Sequence, residues 1–197
     1  MSMSRAFAYP FLAAAGTLAA GGAAAESQQG FINALIAPAR HADIPADMDI
    51  YAPLLGDWEI TGTEYPEPGK PRPVTIKVNF ARTLEGRAIQ DVWSWPVDSN
   101  LAAEGANRGS GTTLRVYDPV ERLWRVTWID PVGRARTQLD ARKVGQDIVQ
   151  IGANAAGVPR RWTFTDISSD RFVWRGEYSQ DGGRTWQLNA EYFATRR

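Results

Sequence analysis

The side chains in this sequence that could most readily bind another molecule are indole rings. The chain has 197 residues, and eight of them are tryptophan. Tryptophan combines a large apolar surface with one N–H donor. A set of rings this large either fills a protein core or lines an aromatic cavity that holds a small molecule.

We predict such a cavity. Large rings and one tyrosine hydroxyl from three strands would form its wall, and one glutamine side-chain amide would supply a second polar contact. Aromatic walls favour flat or elongated apolar ligands, and a tyrosine hydroxyl would orient one polar end. Gly176 and Ala190 lie among the rings and could leave space. The alternative is that the rings fill the interior, which would leave a structural or interaction domain. The predicted ligand-binding residues are Trp124, Trp128, Trp162, Phe164, Phe172, Trp174, Tyr178 and Gln90.

One carboxylate, Asp91, is the candidate for catalysis. Asp91 shares one strand face with Trp93 and Trp95, and if that face is interior, burial would raise the pKa of the acid. A buried acid or a tyrosine of the same cavity could act as general base in a cofactor-independent isomerase or cyclase. If the other face is interior, Gln90 takes the inner place and Asp91 is exterior or salt-bridged.

Composition excludes several other functions. Lys+Arg and Asp+Glu are both 22, so the net charge is zero, whereas a nucleic-acid binder normally carries a basic excess. The absence of cysteine excludes disulfides, cysteine-ligated zinc, iron–sulfur clusters and thiol nucleophiles. One histidine, His41, cannot form a multi-histidine metal site. We therefore expect no cofactor and no metal, and a small apolar or aromatic molecule as the partner.

The elements that would position these side chains are β-strands. From Gly56 onward, apolar and polar residues alternate, as in 74–80 and 124–128, and this period of two is typical of antiparallel strands with one buried face. Turn residues such as Asp-Pro and Asp-Gly-Gly separate the alternating stretches. The ten predicted strands span about 57–65, 73–84, 87–96, 110–118, 122–130, 134–144, 147–153, 159–167, 171–179 and 184–195.

A sequence of hairpins this long has two exposed edges, and closure into a barrel removes them. We predict an all-β fold, a single antiparallel up-and-down β-barrel that occupies residues 56–197. Eight strands enclose a space that their own side chains fill, so ten leave room for a ligand. Two longer connections, Pro66–Pro73 and Val97–Gly109, could cover one mouth of the barrel.

The amino terminus has the layout of a secretory signal peptide. Arg5 precedes an apolar run from Ala6 to Ala20, and Ala23–Ala25 fits the small-residue cleavage pattern. We predict that residues 1–25 direct export, so that the protein is periplasmic or secreted; the alternative is a disordered tail on a cytoplasmic protein. The apolar run is too short and too weakly apolar for a transmembrane anchor.

Residues 26–55 are predicted to form a lead-in that precedes the barrel. Phe31, Leu35 and Ile36 have the spacing of one face of a short helix. His41 lies farther along this polar segment, and we expect it at the surface rather than as a ligand.

The start of the first strand carries a recognisable motif. Leu55–Glu59 contains Gly-Asp-Trp and resembles the Gly-x-Trp start of lipocalins and their calycin relatives. That resemblance implies that Trp58 plugs the closed end of the barrel and packs on an arginine near the end of the last strand, which Arg196 or Arg197 would supply.

More of the chain, most of residues 50–197, resembles a group of uncharacterised bacterial proteins with a calycin-like barrel. This second resemblance implies a fold rather than an activity. The stretches that carry it are Leu55–Trp58, Gly86–Trp93, Arg115–Pro119, Trp124–Trp128 and Phe172–Trp186.

A second motif lies before the last strand. Ser179–Trp186 fits the Asp-box pattern S-x-D-x-G-x-T-W, which closes β-hairpins in sialidase propellers. Only one copy is present, and the sequence has no repeat of blade length. We predict that Asp181 accepts backbone N–H bonds in a hairpin turn and that Trp186 points into the core.

Overall fold

A computed structural model describes residues 17–66, 69–95 and 109–197 of the chain. Most of the Val97–Gly109 connection and the first sixteen residues of the predicted signal peptide lie outside these ranges, so export stays a prediction. Among the described residues, no helix combines the length and the hydrophobicity that a membrane span requires.

Helix α1 spans Thr17–Leu35 and is longer than the short helix that we expected. The segment is rich in alanine, the residue with the strongest helix propensity, and the helix continues through the predicted cleavage position at Ala25. A boundary between two compact units follows Leu35.

The alternating residues form ten strands, as the sequence predicts. Each strand pairs antiparallel with its neighbour in sequence, and the first pairs with the last to close the barrel. The strands are β1 (Gly56–Glu64), β2 (Arg72–Thr83), β3 (Ala88–Ser94), β4 (Ser110–Asp118), β5 (Leu123–Asp130), β6 (Ala135–Val144), β7 (Asp147–Asn154), β8 (Pro159–Thr165), β9 (Arg171–Tyr178) and β10 (Gln187–Arg196).

One end of the barrel is closed by the segment 37–55, which we call the plug. It contains two single-turn 3₁₀ helices, Ala46–Met48 and Ala52–Leu54. Tyr51 of the plug is fully buried and meets the Trp124 ring edge-on, with ring centroids 5.4 Å apart. The other apolar plug residues that are buried are Ala37, Ile44, Ile50 and Leu54.

Side chains of the first and last strands bind the plug through hydrogen bonds. Trp58 is fully buried, and its indole N–H donates to the backbone oxygen of Leu54 at 2.7 Å. The Arg196 guanidinium lies 4.1 Å from the centre of the Trp58 ring and donates to the backbone oxygens of Leu55 (2.6 Å) and Pro53 (2.9 Å). The contact between tryptophan and arginine that the calycin resemblance implies is therefore confirmed.

The Asp-box residues build a turn, as predicted. Asp181 Oδ1 accepts the backbone N–H groups of Arg184 (3.0 Å) and Thr185 (2.8 Å), and Oδ2 accepts the Thr185 hydroxyl at 2.7 Å. These hydrogen bonds stabilise the carboxylate form and lower the pKa of Asp181 to about 2.

The inward position predicted for Trp186 is wrong. A β-bulge between Leu188 and Ala190 inserts one residue into β10, and one extra residue reverses the alternation of side chains. Ala190 and Tyr192 are buried, but Trp186 lies outside the barrel with the Arg161 guanidinium 4.6 Å from its ring centre.

We expect Trp58→Ala to reduce the free energy of unfolding by about 3–5 kcal/mol, because it removes a large buried ring and leaves a cavity. Phe193→Ala is the control, since Phe193 is 50% exposed on β10, and it should cost about 1 kcal/mol or less. Urea unfolding of both variants measures the difference. Similar losses would show that Trp58 is not part of the core that closes the barrel.

Asp181 should make stability depend on pH at the acid end. Its pKa is lowered in the folded state, so its contribution is complete above the unfolded pKa of about 3.9 and is lost as pH falls through about 2. We expect the stability difference between the wild type and Asp181→Ala to shrink over this interval. Denaturant titrations from pH 5 to 2 test this, and a difference that stays constant would contradict the assigned role.

Candidate ligand-binding cavity

A cavity of about 300 Å³ lies inside the barrel, toward the end opposite Trp58. Six of the residues that line it are aromatic, and seven are polar or charged. The aromatic lining residues are Trp93, Trp95, Trp128, Trp162, Trp174 and Tyr192, and the polar ones are Glu64, Thr113, Arg115, Asp130, Thr137, Arg160 and Asn189.

The rings of the wall support one another. Trp174 stacks on Tyr192 with ring centroids 4.9 Å apart and planes 17° apart. Trp93 and Trp162 contact the same Trp174 ring at centroid distances of 5.9 and 5.7 Å, and Trp128 meets Trp162 edge-on at 6.4 Å. These separations fall within the range of favourable aromatic pairs, so the wall is held in place before any ligand binds.

Two glycines make this arrangement of rings possible. A Cβ atom on Gly176 would lie 2.6 Å from the Trp174 ring, and one on Gly111 would lie 2.3 Å from the Trp128 ring. We expected Gly176 to leave empty space, but the Trp174 indole occupies that space instead. Ala190 lines the cavity, where we expected its small side chain to leave space.

Three of the predicted ligand-binding residues, Trp128, Trp162 and Trp174, line the cavity. Trp124, Phe164 and Phe172 instead lie in the core at the plugged end, where each is at most 1% exposed. The Trp124 N–H donates to the backbone oxygen of Met48 in the plug at 2.8 Å. All of these residues point inward as predicted, but alternation along a strand does not specify how deep in the barrel a side chain lies.

Tyr178 and Gln90 are also placed away from the predicted site. The Tyr178 ring is buried beside the Arg160 guanidinium, 5.5 Å from its carbon, and is not among the residues of the cavity wall. Gln90 lies on the outer side of β3 and donates to the Thr112 hydroxyl at 3.1 Å. Asp91, fully buried, takes the inner position.

Asp91 is the counter-ion of a buried arginine. Its Oδ2 lies 2.8 Å from Nη2 of Arg115, and its Oδ1 accepts the Thr113 backbone N–H at 2.8 Å. The Arg115 guanidinium is 4.8 Å from the Tyr51 ring centre and 5.4 Å from that of Phe80. The catalytic role considered for Asp91 gains no support, because the carboxylate is paired with a cation and is not among the residues of the cavity wall.

A second polar pair does belong to the wall. Tyr192 donates its hydroxyl to Glu64 Oε1 at 2.8 Å, and Arg72 donates to Glu64 Oε2 at 2.5 Å. Burial, and then the adjacent Glu64 carboxylate, raises the pKa of Tyr192 well above its ordinary value. The phenol therefore stays protonated and fixed as a donor to Glu64.

The prediction omits Trp93, Trp95, Tyr192 and the charged side chains of the wall. The first two share the face of Asp91, so assigning that face to the interior would have included them. Tyr192 alternates with Ala190 and Ala194 and could have been found in the same way. In the described part of the chain, no three His, Asp or Glu side chains are placed to hold a metal ion.

Comparison with known proteins finds structural similarity at low sequence identity. No protein-family model matches the chain, and no curated protein matches it in sequence. The crystal structure of Rv2717c from M. tuberculosis matches with a TM-score of 0.49 and 15% identity, over 78% of this chain and 99% of that chain. The S-type phycobiliprotein lyase CPES from Guillardia theta matches with a TM-score of 0.51 and 10% identity, over 79% of this chain and 94% of that chain.

The closed ten-strand barrel and the Trp58–Arg196 contact give the chain a calycin-like fold. A likeness at 10% identity concerns the fold alone, and folds of this kind serve unrelated functions. The function is therefore argued from the cavity.

We expect Asp91→Asn to destabilise the protein by about 3–5 kcal/mol, because it leaves the buried Arg115 guanidinium without a counter-ion. The double variant Asp91→Leu/Arg115→Met should recover most of that loss, since it removes both charges. Asp140→Asn is the control: Asp140 pairs with Arg125 at the surface and should contribute less than about 1 kcal/mol. Equal losses for Asp91→Asn and Asp140→Asn in chemical denaturation would contradict the burial of the ion pair.

Proposed function

We propose that this protein binds a small molecule with a flat, apolar or aromatic body inside the barrel. The observation that carries the proposal is a space of about 300 Å³ whose wall contains five indole rings and one phenol. This volume lies at the lower end of the range of ligand pockets, about 300–1,000 Å³. Rings that only filled a core would pack against one another and leave no such space.

The geometry of the wall suits a planar ligand. A flat ring system can stack on one indole and meet the edge of another, and each such contact contributes about 0.5–1.5 kcal/mol beyond the burial of apolar area. Because Trp128, Trp162 and Trp174 already contact one another, little side-chain entropy is lost when a ligand enters.

An enzyme that uses the same cavity is the second candidate function. The Glu64–Tyr192 pair on the wall is the observation that favours it, because such a pair could exchange a proton with a bound substrate. Burial and the adjacent Glu64 carboxylate raise the pKa of Tyr192 and so hold the proton on the phenol, which fits a positioning role better than proton transfer. Binding that survives Tyr192→Phe while turnover of the bound molecule stops would favour the enzyme.

The binding proposal predicts saturable association with a flat aromatic probe. Titration calorimetry with 2-naphthol, dodecanoate and farnesol compares a flat ring system with a fatty acid and an isoprenoid. We expect binding of 2-naphthol, and we expect Trp162→Leu to weaken it roughly tenfold through the loss of one aromatic contact and of buried area.

Trp186→Leu is the matched control, because Trp186 lies outside the barrel against Arg161. It should leave the affinity unchanged, and both variants should show one cooperative unfolding transition. Absence of saturable binding with all three probes, or equal effects of the two tryptophan variants, would refute the proposal.

A further inference from the structure

The ionised side chains of the cavity wall differ in how far other groups of the protein balance their charge. The wall contains two carboxylates, Glu64 and Asp130, and two guanidinium groups, Arg115 and Arg160. A charged group next to a ligand influences which ligand binds mainly when its charge is not already balanced by the protein.

Two of the four are balanced by buried or half-buried ion pairs. Glu64 Oε2 lies 2.5 Å from Arg72 Nη2, and Glu64 Oε1 accepts the Tyr192 hydroxyl. Arg115 Nη2 lies 2.8 Å from Asp91 Oδ2. Both pairs are neutral overall, so neither adds a net charge to the cavity.

Asp130 is engaged in a different way. Its Oδ1 accepts the backbone N–H groups of Val132 at 3.0 Å and Gly133 at 2.7 Å. These hydrogen bonds cap the turn that follows β5 and stabilise the carboxylate in place.

Arg160 differs from Arg115, the other cation of the wall. Among the described residues, no carboxylate lies within ion-pair distance of its guanidinium, which lies over the Tyr178 ring, 5.5 Å from the ring centre. The side chain is partly buried, and this burial lowers the pKa of Arg160. A cation that is partly desolvated and lacks a counter-ion is stabilised by any anion that enters the cavity.

Trp95 provides a second donor on the same wall. The indole N–H groups of Trp58 and Trp124 donate to backbone oxygens, whereas Trp95 Nε1 is buried and has no acceptor among the described residues. A buried donor without an acceptor is unfavourable, and an oxygen atom of a ligand would satisfy it.

We infer that the ligand of this cavity is an aromatic acid, with its ring system among the tryptophans and its carboxylate on Arg160. This inference rests on the proposed binding function and names the ligand class. A guanidinium matches a carboxylate through two parallel N–H···O bonds. The rival, a ligand cation held by the indole faces, is opposed by the unbalanced charge of Arg160 and by the pairing of Glu64 with Arg72.

The test uses two probes that differ in charge and share one ring system, naphthalene-2-carboxylate and naphthalene-2-carboxamide. Calorimetry at pH 7.5 should show that the carboxylate binds the full-length protein at least about tenfold more tightly, as expected for a charge-assisted hydrogen bond. Arg160→Gln should weaken binding of the carboxylate at least about tenfold and binding of the carboxamide much less, so that the preference disappears. Arg160→Lys should keep part of the preference, because the charge remains and the paired donors do not.

Arg161→Gln is the matched control. Arg161 is the next residue in β8, but it points outward and pairs with Glu177 at 2.6 Å, so its replacement should not change the preference. Equal binding of the two probes to the wild type would overturn the inference and leave the proposed function standing. Equal effects of Arg160→Gln and Arg161→Gln would overturn it as well. Failure of both probes to bind would overturn the proposed function itself, and the inference with it.

Discussion

A closed barrel of ten strands encloses more volume than its inward side chains can fill, and this constraint shapes the rest of the molecule. At one end the plug fills part of this volume, and its Tyr51 and Leu54 are fully buried. Trp58 and Arg196 then fasten that segment to the first and last strands. At the other end nothing comparable enters the barrel among the described residues, and the inner wall of rings borders the cavity.

The Asp91–Arg115 pair lies where these two halves of the interior meet. Arg115 lines the cavity and also faces the ring of Tyr51 in the plug. A buried ion pair contributes little net stability compared with apolar residues of similar size, but the loss of one partner is costly. The pair therefore makes the packing of the plug and the shape of the cavity depend on each other, because any shift of Arg115 changes both.

The strands and their inner faces could be predicted from the sequence, because period-two alternation and turn residues are local properties. The depth of each side chain along the barrel axis could not be predicted in this way. Trp124 and Trp128 share one face of β5, yet one contacts the plug and the other lines the cavity, and the plug has no periodic pattern that places it. In β3, polar residues occupy both faces, so alternation does not decide whether Gln90 or Asp91 points inward. The buried Arg115 on the adjacent strand makes Asp91 the inner one.

The bulge in β10 has a consequence for how barrels of this kind diverge. Leu188 and Ala190 pair with consecutive residues of β9, Glu177 and Gly176, so Asn189 is extra to the ladder. Asn189 nevertheless borders the cavity. Loss of this one residue during evolution would remove an amide from the cavity mouth and would turn the side chains of β10 that precede it to the opposite face. A single insertion or deletion can thus alter the cavity mouth and the orientation of the residues before it together, whereas a substitution alters one side chain at a time.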